Sequence, residues 1–351
     1  MKEILSKDID KNEWDKLVQS SSTGTWFQTP DAYVFYESVS ELLKPFAIGI
    51  ENPANTMSSK SERHVLLKGI CIGYVTVQHN PILQFFTRRA IIYGGPLLTD
   101  DANEEDVTLL MQSVSRKLRS LPWKQRPIYI ETRNFNDFSR YKEAFKTAGF
   151  SYIPHNNFHI HTTSEEQINQ QLDENRRRNI RATIKAGATI VDNPSTEQVK
   201  AFYKILQNLY SRKVKTPLIP LIFFETLRKS PDSVFLLVEY KGKIIGGIAC
   251  VFLKGRCMYE WYVCGEDGKY DGVYPSSYAT YAGLQYAANH NIPLFDMMGA
   301  GVPGEPNGIR DFKARFGGQL VEHGRFIHIV HPLLYRIGKL GLKLLQLTKK
   351  Q

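Results

Sequence analysis

The same order of helical and strand-like segments runs twice through this chain, and that repetition limits its fold more than any other feature. In the first half, helices over 12–20 and 31–40 precede strands over 45–50 and 65–77, which are separated by the polar run 51–63. A strand over 90–93 is closed by Gly94-Gly95-Pro96. Val107, Leu110, Met111, Val114 and Leu118 then recur at helical spacing within 104–120. A strand over 128–131 follows, then a helix over 138–148 ending at Gly149, a residue suited to a left-handed C-cap, and a strand over 150–160. The second half has helices over 165–186 and 196–210, then a hairpin of strands 234–240 and 244–253 about Lys241-Gly242-Lys243. A strand over 256–264, a helix over 276–289 and a strand over 293–297 complete it. Each half therefore reads as helices, antiparallel strands, a helix and a strand. The two halves match in order and not in residues, which predicts duplicated α/β (α+β) domains, each a mixed, mostly antiparallel sheet flanked by helices.

The length of 351 residues agrees with two domains, and 42% hydrophobic residues suffice for two cores. Cys71, Cys250, Cys257 and Cys264 form no C-x-x-C pair, so buried reduced thiols are expected and no metal site. Met1–Asp10 is charged and lacks an apolar core, and no run approaches the ~20 apolar residues of a membrane span. A cytoplasmic protein is expected. The formal charge of +10 suits an acidic partner such as RNA, a nucleotide-linked substrate or an anionic membrane face, without choosing among them.

The second half carries further detail. Tyr274-Pro275-Ser276-Ser277-Tyr278 opens a helix that ends at Ala287-Ala288-Asn289-His290-Asn291. Pro293-Leu294-Phe295-Asp296, Gly299 and Gly308-Ile309-Arg310-Asp311-Phe312-Lys313-Ala314-Arg315-Phe316-Gly317-Gly318 follow. This resembles the C-terminal signature of the FemABX peptidyltransferases, with their F-K-x-x-F-G element, on a tandem GCN5-related N-acetyltransferase (GNAT) fold. Trp26-Phe27-Gln28-Thr29 and Gly94-Gly95-Pro96-Leu97 resemble two elements of that family's first domain. The resemblance implies one GNAT-like domain over 1–160, a second over 161–319 carrying the active cleft, and a segment over 320–351 that packs back on the first. It also implies transfer of an aminoacyl or acyl group to an amine of a peptidoglycan or polysaccharide precursor. Aminoacyl-tRNA or acyl-CoA would be co-substrate, with no permanently bound cofactor. A lysine usual shortly after the F-Q-S element is missing here, since no Lys or Arg occurs between Asp31 and Leu43. That departure counts against a nucleotide-linked peptidoglycan precursor.

Acyl transfer to an amine requires a deprotonated amine, a stabilised oxyanion and a held carrier. Lys313 matches the family's essential lysine and is the candidate for the oxyanion, the alternative being a surface lysine. Arg310 and Arg315 are candidates for an anionic group. Glu260 lies in the strand Cys257-Met258-Tyr259-Glu260-Trp261-Tyr262 and is a candidate base, or a strand carboxylate satisfied by its neighbours. Tyr259, Tyr262 and Tyr278 are candidates to line an acceptor pocket, though tyrosines of this kind commonly just pack. Asp296 is expected to anchor the loop before Gly299. Residues 268–277 lack the Q/R-x-x-G-x-G/A spacing that cradles the pyrophosphate of acyl-CoA in this fold, which counts against that donor.

Arg177, Arg181 and Lys185 recur every four residues and share a helix face, while Ile180 and Ile184 share another. The basic face can follow tRNA phosphates or simply be solvated. Arg212 and Lys215 form a second basic cluster that can meet the acceptor. In the tail, Leu333, Ile337, Leu340, Leu344 and Leu347 share one side of a helix, beside Arg336, Lys339, Lys343 and Lys350. Such a helix docks on the first domain or lies on the inner face of the membrane. An acyl-CoA-dependent transferase on a sugar amine, and a non-catalytic RNA- or membrane-binding relative, remain as other readings. The oligomeric state is left open.

Overall fold

The structure is a computed structural model and describes residues 3–5, 8–51, 66–78, 80–214 and 218–348. The chain divides into two compact units, Met1–Pro154 with His323–Gln351, and His155–Glu322.

In the first unit β1 (Glu3–Leu5), α1 (Lys11–Ser20) and α2 (Pro30–Ser38) lead to β2 (Leu43–Glu51) and β3 (Leu67–Thr76). Then come α3 (Pro81–Thr87), β4 (Arg89–Tyr93), β5 (Leu97–Leu98), α4 (Glu104–Arg119), β6 (Tyr129–Arg133), α5 (Lys142–Thr147) and β7 (Ser151–Ile153). The second unit runs β8 (Asn156–His161), α6 (Glu165–Gln171), α7 (Glu174–Lys185), β9 (Thr189–Val191), α8 (Thr196–Leu209) and α9 (Leu221–Leu227). It continues with β10 (Ser233–Tyr240), β11 (Lys243–Leu253), β12 (Cys257–Gly265), α10 (Pro275–Asn289), β13 (Leu294–Gly299), α11 (Gly308–Ala314) and β14 (Gln319–Glu322). The chain then returns to the first unit as β15 (Arg325–Ile329) and α12 (Pro332–Thr348).

Both sheets are mixed and mostly antiparallel, as expected. The first has the order β1-β2-β3-β4-β6-β15-β7 with β5 on β3, and the second β14-β8-β13-β12-β11-β10-β9. Among the described residues each holds one parallel pair, β4–β6 and β12–β13, bridged by the crossover helices α4 and α10. A parallel pair cannot be closed by a hairpin and needs such a crossover. α4 shows how the sequence specifies it. Asn103 and Asp106 exchange hydrogen bonds in a capping box, acids fill its first turn and bases its last, and Val107, Leu110, Met111 and Val114 are fully buried.

Two boundaries differ from the sequence reading. The helix expected over 165–186 is two helices, because the Asp173 carboxylate takes the Arg176 N–H at 2.6 Å and starts α7 afresh. The strand expected over 150–160 is also two. Pro154, which has no N–H to continue a ladder, separates β7 in the first sheet from β8 in the second. β8 therefore opens the second unit instead of closing the first.

Two of the sequence elements that carried the resemblance, 26–29 and 94–97, meet within the first unit. The Gln28 amide donates to the carbonyls of Gly94 and Gly95, and its carbonyl accepts from Thr25. Gly94 has φ +82°, and a Cβ there would lie 2.7 Å from Thr25 Oγ1, so only glycine fits. In the second unit Gly317, at φ +78°, turns the chain after α11 so tightly that a Cβ would stand 2.3 Å from the Gln171 carbonyl oxygen. Gly317→Ala is expected to cost about 2–3 kcal/mol or more, read as a lower urea midpoint with an unchanged slope. A loss below half a kcal/mol would show that this turn is not tight.

Candidate active site

The site grows out of the way β12 and β13 separate. They pair only from Cys257↔Leu294 to Tyr259↔Asp296, although β12 runs on to Gly265 and β13 to Gly299. Past that point the carbonyls of Met297, Met298 and Gly299 have no partner on β12. The register of β12 against β11 also shifts at Trp261, between Ala249↔Tyr262 and Cys250↔Glu260. Shifts of this kind, as at β-bulges, re-aim side chains beside functional sites.

Lys313, on α11, answers the opened strand. It is 6% exposed, and its ammonium donates to the carbonyls of Met297, of Met298 at 3.3 Å and of Gly299 at 2.9 Å. A lysine has three donors, so all three are committed. Lys313 is thus a buried cation and not the surface lysine of the alternative reading. Burial pulls its pKa down, against the attraction of Glu260 and Asp296. Glu260, 4% exposed on β12, accepts a hydrogen bond from Thr280 Oγ1 of α10 at 2.9 Å. Burial pushes its carboxyl up to about 7, the Lys313 ammonium and the Thr280 hydroxyl offset part of that, and Asp296 adds to it. Asp296, fully buried, accepts from Met298 N at 2.5 Å and from the Asn157 amide at 3.2 Å, and His159 Nε2 lies 3.3 Å away. These bonds hold Met298 in the left-handed region, at φ +59°.

The structure does not gather the other candidates around this pair. Arg310 donates from Nε to the Ala300 carbonyl at 3.1 Å and from Nη2 to that of Val302, so it fastens the loop after β13. Arg315 is exposed, and its backbone carbonyl accepts from Asp173 N. Tyr259 is buried, and burial raises its hydroxyl well above the ordinary tyrosine range. Tyr262 packs against Phe223 and Phe224 of α9, whereas Tyr278 packs on the core beneath α10. Arg212 is exposed on the turn Tyr210–Val214, and Lys215 lies outside the described residues.

On α7, Arg177, Arg181 and Lys185 do share a face. With Arg178, Ala182 and Glu174 they line a surface groove of about 590 Å³. Arg177 also donates to the Leu172 carbonyl at 3.0 Å. Ile184, expected to share the buried stripe of Ile180, is 47% exposed, and Arg176 and Thr183 are buried beside Ile180 instead. Sequence reasoning passed over Arg176. Its guanidinium lies 4.4 Å from the ring centres of both Phe312 and Phe316, donates to Ser277 Oγ and reaches the Phe312 carbonyl at 3.0 Å. Burial, then Arg315, lower its pKa to about 10, against Asp173 and Asp267. The available signal was its spacing, four residues before Ile180 on the apolar stripe.

α10 starts at Pro275, within the run Tyr274–Tyr278 that the sequence marks as opening a helix. Pro275 has no N–H to offer, and the Ser276 N–H is taken by the Asp267 carboxylate at 3.2 Å. A Cβ on Gly265 would lie 2.5 Å from Ser276 N, so strand and helix touch there.

Residues 236–342 match the model of the FemAB family. Over that stretch the chain is similar to the FemAB family. No curated protein matches its sequence. Among solved structures it is similar to FemX, at 14% identity and a TM-score of 0.67, covering 96% of this chain and 99% of that one. It is similar to L-PGS, a lysylphosphatidylglycerol synthetase, from Bacillus licheniformis, at 10% identity and a TM-score of 0.54, over 96% and 97% of the two chains. A tandem GNAT protein from the clavulanic acid biosynthesis pathway is similar at 8% identity and a TM-score of 0.55, over 94% and 99%. These likenesses bear out the tandem GNAT-like fold read from the sequence, and the family match bears out the transferase class. Among the described residues no helix is long and apolar enough to cross a membrane.

Proposed function

We propose that this FemABX-like protein transfers an aminoacyl group to an amine of a cell-envelope precursor, in the cleft where β12 and β13 part. The proposal rests on two buried groups that interact electrostatically at that opening, the Glu260 carboxyl, pushed up to about 7, and the Lys313 ammonium. A base with a pKa near neutrality is matched to taking a proton from an amine as it attacks. A buried cation is matched to the negative oxygen that develops on the carbonyl. In the step, the amine nitrogen bonds to the acyl carbon and the ester C–O bond to the carrier breaks. The amine proton passes to Glu260 and from there to the departing hydroxyl. Lys313 exchanges one of its three backbone carbonyls for the oxyanion.

The start of α10 favours an aminoacyl-tRNA donor over acyl-CoA. A helix N-terminus binds pyrophosphate through free N–H groups. Here one N–H is absent, at Pro275, and another is bound to an acid, Asp267. The α7 groove supplies the positive surface for the carrier's phosphates. An envelope acceptor follows from the family, with peptidoglycan or another amine-bearing precursor in that role.

The test is binding of charged and uncharged tRNA across a salt series, beside acyl-CoA. Arg181 and Lys185 are exposed, so charge reversal of both should leave the fold intact. Arg181→Glu with Lys185→Glu is expected to weaken tRNA binding about tenfold or more and to reduce the salt slope by about two. Protection by acyl-CoA with no tRNA binding at low salt would overturn the donor assignment. Full transfer activity in a Lys313→Ala protein would remove Lys313 from the chemistry.

A further inference from the structure

Helix α12 has two apolar faces, and the first unit uses only one of them. Leu334 is 9% exposed, the Tyr335 ring stands edge-on to Tyr129 at 5.3 Å, and Gly338 lies so close to α3 that a Cβ would be 3.1 Å from the Phe86 carbonyl oxygen. That face docks the helix. Turned away from it, Leu333 is 70% exposed, Ile337 42% and Leu340 62%. Arg336 and Lys339 are exposed alongside. At the start of the helix the Trp123 ring stands 4.8 Å from His331 and 6.3 Å from Phe85, and it is 49% exposed. The sequence has no acidic residue from 323 to 351. The remainder of the stripe, Leu344 and Leu347 with Lys343 and Lys350, lies outside the described side chains.

We infer that this face of α12, with Trp123, seats the protein on an anionic lipid bilayer. Exposed leucines in a row are costly in water and gain nothing from a nucleic acid, whose phosphates would engage only the flanking bases. A second copy of this chain fits poorly, because a two-fold contact through the stripe would bring Arg336 and Lys339 of both copies together. A lipid surface satisfies all three features at once. The acyl region takes the leucines, anionic headgroups take the Arg and Lys side chains, and the boundary takes the indole. The inference stands apart from the proposed chemistry, since it uses no residue of the β12–β13 cleft.

The test is co-sedimentation of the full chain with vesicles of phosphatidylethanolamine and phosphatidylglycerol, against vesicles of phosphatidylcholine. Binding is expected to the first and not the second, and to weaken with salt. Leu333→Ser with Leu340→Ser is expected to lower partitioning about tenfold or more. Arg336→Glu with Lys339→Glu should abolish the preference for anionic lipid. All four positions are exposed, so circular dichroism and melting temperature should not move. Vesicle addition should shift tryptophan emission to the blue in the wild type and not in Trp123→Phe. No sedimentation with anionic vesicles at low salt would overturn the inference, as would a leucine variant that binds like the wild type. So would a dimer in solution that these serines dissociate, because the stripe would then be covered by a second copy.

Discussion

Replacing Glu260 with glutamine is expected to lower the rate of transfer by about 10²- to 10⁴-fold while leaving the protein folded. Glutamine keeps the shape and can still accept the Thr280 hydroxyl, so only the proton-accepting capacity is removed. In the wild type the single-turnover rate should rise with pH through about 7, as the buried carboxyl ionises, and that limb should vanish in Glu260→Gln. Stability supplies an independent readout, with a sign fixed by linkage. The folded-state pKa lies above 4.5, the ordinary value for a glutamate, so the folded chain holds this proton more tightly than the unfolded chain. The resulting stabilisation is fully present below pH about 4.5 and is lost as pH rises to about 7. That shift corresponds to about 3 kcal/mol. Urea unfolding between those limits should therefore slope downward in the wild type and run nearly flat in Glu260→Gln. A variant with wild-type rate and an unchanged pH profile would remove Glu260 from the chemistry, whatever its stability.

The sequence conveyed the order of elements well because hydrophobic periodicity is local. The α4 stripe of Val107, Leu110, Met111, Val114 and Leu118 is buried as its spacing requires. Signals that depend on a partner elsewhere in the chain were harder to read. Lys313 was identified through its flanking Phe312, Phe316 and Gly317-Gly318. Its bonds to three carbonyls follow from the parting of β12 and β13, which no spacing reveals. Arg310 was a candidate for an anionic group, yet the carbonyls of Ala300 and Val302 accept from its guanidinium. Arg176 lies next to Arg177 in a run of arginines, but one residue of rotation on α7 places it between two phenylalanine rings. The same rotation argument settles how the tail helix docks. Leu333 and Leu334 are adjacent in sequence, and one is exposed while the other is buried.

Lys313→Met is expected to have the larger effect on stability, and to reduce transfer by a further route. Methionine fills the space but donates nothing, so the carbonyls of Met297, Met298 and Gly299 lose their partner at the one place where β13 lacks β12. Leaving buried carbonyls and a buried carboxyl without the cation costs about 3–5 kcal/mol. The rate should fall about 10²- to 10³-fold if the ammonium also meets the oxyanion. Separating these two contributions requires a variant with room for a substitute cation. Lys313→Ala leaves a cavity lined by the same carbonyls, and an added alkylammonium ion can occupy it. If Lys313 serves only to hold the end of β13, the ion should restore the melting temperature and the rate in the same proportion. If it also stabilises the oxyanion, restoration of the rate should depend on the amine's pKa while restoration of stability tracks only its size. An alanine variant that keeps wild-type stability without any added amine would mean that the strand end closes on its own, and the lysine would then have no positioning role.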